Sequence, residues 1–106
     1  MTTTAAAHDI PHPGRDDLDL ASVLHALSDP VRLGIVAELA DGRERTCGSF
    51  DVSVTKSTCT HHFRVLREAG LIRQRQQGTM RLNSLRRDDL DARFPGLLET
   101  ILRAGG

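Results

Sequence analysis

Residues 57–72 read STCTHHFRVLREAGLI and place a cysteine, two adjacent histidines and two arginines in a short span. Two chemistries fit those residue types. Cys59 and His62 stand three apart, a workable spacing for two metal ligands on one helical face. The same letters also suit a helix that reads DNA, with the cysteine serving as an apolar core residue. A nucleophilic site is excluded more simply. Ser57, Thr58 and Thr60 lie near His61 and His62, but the helix offers no orienting carboxylate, since Glu68 is about two turns away, so a Ser–His–Asp type set is not expected.

A helical wheel separates the two remaining readings. From Cys59, the positions i+3, i+4 and i+7 are His62, Phe63 and Leu66, which form a core stripe with His62 at its edge. Ser57, Thr60, His61 and Arg64 fall on the other side. Short polar side chains near a helix start allow close approach to base edges and phosphates, and a cation follows them. Adjacent histidines point about 100° apart on a helix, so His61 and His62 cannot both join Cys59. A structural zinc site takes four ligands and a catalytic one three. The sequence therefore leads to the expectation of no metal and no cofactor. Cys47, the only other thiol, keeps open an alternative in which Cys47 and Cys59 respond to thiol chemistry or a metal.

The elements around this helix decide what it can reach. Residues 1–15 carry Thr, Ala, Pro and Gly without periodicity and are expected to be a mobile tail that includes His8 and His12. Residues 16–106 are expected to form one domain. Acidic residues open an apolar-periodic helix from Asp16 to Ser28, with Leu20, Val23, Leu24 and Leu27. Asp29 caps a second helix, Pro30 to Ala40, which is apolar on two sides and so central. The stretch RERTCGSFDVSVTK has no clear period and reads as a short helix or an extended turn. Thr55 is the expected cap of a helix from Lys56 to Ala69, closed by Gly70. Leu71 to Gln76 and Thr79 to Leu85 flank Gln77-Gly78 as a two-stranded hairpin. Asp88 to Arg93 and Pro95 to Ala104 are the last helices, with Pro95 breaking the chain at Phe94. The predicted fold is mainly α with a small β-hairpin, the winged helix-turn-helix plan, dimeric through its terminal helices. In that plan the second helix of the motif enters the major groove and the hairpin reaches the backbone or minor groove.

Charge supports a polyanion partner. The net charge is zero over 106 residues, but residues 55–87 hold eight Lys/Arg against Glu68 alone, while residues 1–54 hold four against nine acids. A local basic block binds a polyanion even in a neutral molecule. With three aromatics (Phe50, Phe63, Phe94) and no Trp or Tyr, the composition argues against reading single strands by base stacking. The sequence has no signal-peptide pattern and no long unbroken apolar run, and two cysteines are too few for a disulfide framework. A cytoplasmic, reduced protein with no membrane partner is expected.

LHALSDPVRLGIVAEL followed by STCTHHFRVLREAGLIRQRQQGT resembles the ArsR/SmtB-type winged helix-turn-helix repressors, over about residues 20 to 87. The resemblance implies a homodimer that binds operator DNA and releases it when an inducer binds. It implies a recognition helix at Lys56–Ala69, a wing at Arg73–Leu82 and terminal helices that pair across the dimer. Two departures matter. The metal box of many members is a Cys-x-Cys, whereas TCGSFDVSV holds Cys47 alone and is shortened. The last helix, where other members place Asp and His ligands, has no His. Metal sensing is therefore not expected, and the inducer is not legible.

The expected function is sequence-specific repression, not enzymatic catalysis. Ser57, Thr60, His61 and Arg64 enter the major groove of an inverted repeat, and Lys56, Arg67, Arg73, Arg75 and Arg81 meet phosphates. Leu20, Val23, Leu24 and Leu27 of the first helix and Leu97, Leu98, Ile101 and Leu102 of the last are the expected dimer surface. A protein-interaction module that uses those apolar helices without touching DNA is the reading of another class.

Overall fold

The computed structural model describes residues 10–50 and 56–105, without the side chains of Lys56 and Ser57. The residues 1–9 of the expected tail, the expected cap Thr55, and Val52 and Val54 lie outside the described residues.

The first helix starts later than its acids suggest. Arg15–Asp17 form a single 3-10 turn, and α1 spans Leu20–Leu27. The reason is local: the Asp19 carboxylate accepts from the Ser22 N–H and hydroxyl, both at 3.0 Å, which fixes Asp19 as the cap. Asp29 repeats the device. It accepts from the Val31 and Arg32 N–H groups at 2.9 and 3.1 Å, and Pro30 follows where its missing N–H is no loss. This opens α2, Pro30–Leu39, and the chain turns by 101° between α1 and α2. No single helix among the described residues is long and apolar enough to cross a membrane.

The stretch without a period becomes a strand and a turn. β1 is Arg45–Thr46 and a 3-10 turn covers Cys47–Ser49. α3 then spans Lys56–Glu68. Its end carries both bonds of a Schellman close: the Leu71 N–H donates to Leu66 O and the Gly70 N–H to Arg67 O, each at 3.0 Å. Gly70 has φ +87°, and a Cβ there would overlap the Leu18 side chain, so glycine is required twice over.

β2 (Ile72–Gln77) and β3 (Met80–Leu85) form the wing. Gln77 pairs with Met80, so the turn is Gly78-Thr79, one residue beyond the expected Gln77-Gly78. The expected hairpin gains a third strand, in the order β1-β3-β2 and antiparallel throughout. Two residues of β1 are too few to show alternation, and their pairing is held by partners far along the chain. α4 (Arg87–Arg93) and α5 (Leu97–Gly105) complete the fold, with Gly96 at φ +82° delaying the last helix past Pro95.

The core joins α1, α2, α3 and the sheet base through Val23, Ile35, Leu39, Phe63, Leu66 and Ile72, each at most 1 % exposed. Phe50 and Phe63 stack at 5.3 Å between centroids with rings tilted by 59°. Three residues assigned above to the dimer surface belong to this core instead: Val23, Leu27 and Leu98 are all buried within the chain. The wheel shows a stripe but not which of its members the chain itself covers.

The end of the expected tail is also held. The Gln74 N–H on the outer edge of β2 donates to His12 Nε2 at 2.9 Å, and Arg86 donates to Pro13 O at 2.7 Å. Burial holds the His12 imidazole below its usual pKa, which keeps that nitrogen an acceptor. Residues 10–15 thus cover a sheet edge.

Asp89 ties this segment to α4. Arg15 Nε donates to it at 2.8 Å, Arg86 Nε at 2.9 Å, and an Arg73 nitrogen lies 3.7 Å away. The Arg15 hydrogen bond is the largest reason that its carboxyl stays below the usual carboxylate range. A lowered folded-state pKa stabilises above the unfolded value of about 3.9 and is lost as pH falls through the folded value. Asp89→Asn should therefore destabilise at neutral pH by about 1–2 kcal/mol. The difference between the two proteins in urea titrations should shrink below about pH 3.9 and vanish as pH falls through the lowered folded value. A difference that persists unchanged into acid would place the stabilisation elsewhere.

Candidate nucleic-acid interface

α3 presents two faces. Phe63 and Leu66 are fully buried, His62 is buried and Cys59 half-buried, while Thr60, His61 and Arg64 are exposed. The outward set is the one expected to meet DNA. The Lys56 and Ser57 side chains lie outside the described residues.

The inward residues His62 and Cys59 meet different neighbours. His62 Nδ1 lies 3.2 Å from an Arg32 guanidinium nitrogen, which donates to it, and 4.0 Å from Asp29 Oδ2. Arg32 itself is buried and donates through Nε to Ala26 O at 2.6 Å and through its other terminal nitrogen to His25 O at 3.3 Å. One guanidinium therefore ties the end of α1 to α3. Cys59 instead faces a cleft that it shares with Cys47 and the wing. Burial, and then the nearness of Cys47, push the Cys59 thiol above its usual pKa, so it stays protonated at neutral pH.

The wing rests on a polar network that is invisible in the sequence. Gln74 and Asn83 face each other across β2 and β3, both buried. Gln74 Nε2 donates to Asn83 Oδ1 at 2.7 Å, and Asn83 Nδ2 donates to Arg45 O at 3.1 Å. Arg67 donates to Gln74 Oε1 at 3.0 Å, which links α3 to the sheet. These hydrogen bonds tie the helix to the wing through buried side chains, with the Arg67 Nε left without an acceptor among the described residues.

The basic block is partly neutralised on folding. Arg75 forms a two-point pair with Glu44 at 2.6 and 2.7 Å. Arg73 lies near Asp89, and Arg67 is drawn inward to Gln74 with Glu68 at 4.0 Å. Arg64 on α3 and Arg81 on β3 are exposed, and their side chains form no hydrogen bond or ion pair among the described residues. The two cations therefore remain available on the helix and on the wing. Sequence reasoning missed Arg32, Gln74, Asn83 and Glu44, since each matters through a neighbour far along the chain.

An exposed polar helix face beside a β-wing, carried on a bed of helices, defines the winged helix-turn-helix class of DNA-binding regulators. Residues 27–75 match a helix-turn-helix domain family. Over 89 residues the chain is 39% identical to YceK, an HTH-type transcriptional regulator of Bacillus subtilis (strain 168), covering 81% of this chain and 89% of that one. It is 32% identical over 83 residues to the biofilm growth-associated repressor of Xylella fastidiosa, covering 72% of each. The crystal structure of the transcriptional repressor BigR from Xylella fastidiosa superposes with a TM-score of 0.63 at 26% identity, over 80% of this chain and 84% of BigR. That of a possible transcriptional regulator for arsenical resistance gives 0.62 at 28% identity, over 77% of this chain and 84% of the other. The chain belongs to the ArsR/SmtB-type winged helix-turn-helix transcriptional regulators.

Proposed function

We propose that the chain is a cytoplasmic homodimeric repressor that holds an inverted repeat of operator DNA through α3 and the wing, and releases it when an inducer binds. The observation that carries this reading is a pair of exposed cations without a partner among the described residues, Arg64 on the same helix face as the exposed Thr60 and His61, and Arg81 on the wing. Ser57, Thr60, His61 and Arg64 form the groove-facing set, and Lys56, Arg73 and Arg81 the phosphate set. Arg67 and Arg75 contribute less in this reading, because Gln74 and Glu44 hold them. The repressors among the chain's relatives support the direction of regulation.

The dimer surface is redrawn by the burial of Val23, Leu27 and Leu98. Leu20 and Leu24, one turn apart on α1, are each 45% exposed, and Leu97, Ile101 and Leu102 on α5 are half-buried. A two-fold partner covering these residues would set two recognition helices about 34 Å apart, one turn of duplex. The thiol- or metal-responsive alternative has less support, because a thiol that stays protonated is a poor ligand and nucleophile.

Leu20→Glu with Leu24→Glu tests the reading without touching the core. The expected result is a monomer in sedimentation that keeps its helical signal and loses tight binding to a palindromic site. A variant that remains dimeric would put the contact on another face, and a monomer that binds the full palindrome as tightly as the parent would remove the need for a dimer.

A further inference from the structure

We infer that the cleft between α3 and the wing is the effector site and that it takes a small amphipathic carboxylate. The inference rests on the DNA-binding reading above only for its regulatory consequence. The cleft has a volume of about 780 Å³, within the range of small-molecule sites. Its apolar lining is Phe50 and Phe63, both buried, the half-buried Cys59, and Met80 at 49% exposure on the wing side. Its charge comes from Arg64, Arg67 and Arg81, and no Asp or Glu lines it among the described residues.

Two independent features select an anion with an apolar body. Arg64 and Arg81 have no partner among the described residues, and both border the cleft. Arg67, drawn inward beside them, has a buried Nε without an acceptor among the described residues, so the positive charge at this end is incompletely compensated. A bare phosphate would satisfy the cations but leave the apolar wall and the exposed Met80 uncovered. An apolar cation would cover the wall and face three arginines. A carboxylate on a hydrocarbon or aromatic body satisfies both.

The consequence follows from position. The rim cations of the cleft are the same side chains that remain free to meet DNA. An occupant that draws Arg64 and Arg81 inward competes with the duplex for them, and release follows from differential affinity of the ligand for the DNA-free state.

Calorimetric titration of the DNA-free protein with decanoate, with decylammonium as the equal-tail control, tests the site. Decanoate should bind saturably and at least ~10-fold tighter than decylammonium, since a charge-assisted hydrogen bond alone supplies that factor. Amide shifts should cluster at Cys47, Cys59, Met80 and Arg81. Met80→Gln and Arg81→Ala, both at exposed positions, should stay folded by circular dichroism and weaken decanoate several-fold. Decanoate should raise the apparent Kd for a duplex, and Met80→Gln should need proportionally more of it. Absent saturation, equal binding of decylammonium, unchanged affinity in both variants, or shifts centred on Leu20 and Leu24 would each overturn the site. Binding without any effect on a duplex-bound complex would overturn the regulatory half. A protein that binds no duplex at all would refute the DNA reading, while the decanoate titration would still decide the cleft.

Discussion

Leu98→Glu is expected to unfold the chain, where the sequence alone would have it split a dimer. Leu98 is 3% exposed and packs with Val23, Leu27, Leu71 and Leu90. The void between these side chains is about 10 Å³, at the limit of what holds one water. Removing a leucine from such a site costs about 2–5 kcal/mol. A carboxylate in its place must also shed its hydration or take up a proton. Small domains hold only about 5–15 kcal/mol in total, so the variant should be largely unfolded at room temperature. Loss of helical circular dichroism and of a cooperative melt is the expected reading. A folded monomer from Leu98→Glu would instead place that side chain at the subunit contact.

Arg64→Ala is expected to give the largest loss of specific DNA binding. The side chain is exposed on α3 and no carboxylate among the described residues neutralises it. A direct base contact is worth about 1–3 kcal/mol, and a two-fold dimer loses it twice, about 2–6 kcal/mol in all. Specific and scrambled duplexes, titrated at fixed salt, should become harder to tell apart. Arg75 gives the contrast. It is already paired with Glu44, which the Arg75 hydrogen bond holds below its usual pKa. Arg75→Ala leaves Glu44 bare beside the wing and should weaken all sequences alike, while Glu44→Gln should tighten them alike and steepen the salt slope. Unaltered discrimination in Arg64→Ala would mean that α3 is not the reading helix.

What the sequence determined by itself is what depends on near neighbours in the chain. Asp29 before Pro30, Gly70 after α3, Gly78 in the wing turn and the Cys59–His62–Phe63–Leu66 stripe all act within one or two helical turns or one tight turn, so their residue types are enough. The exposed set Thr60, His61 and Arg64 follows from the same stripe by subtraction, and the family resemblance rests on these runs. Tertiary structure decided whatever depends on distant partners. Arg75 meets Glu44 across 31 positions, Arg32 meets His62 across 30, and Arg15 meets Asp89 across 74. No local pattern shows which cations folding will neutralise, or that Gln74 and Asn83 are buried as a pair. The same holds for the leucines: periodicity puts Leu20, Val23, Leu24 and Leu27 on one helix side, and only the packing of other elements, α5 among them, against α1 buries Val23 and Leu27 and leaves Leu20 and Leu24 bare. A hydrophobic stripe records that a surface must be covered, while which part of the chain covers it is set by the three-dimensional path of the backbone.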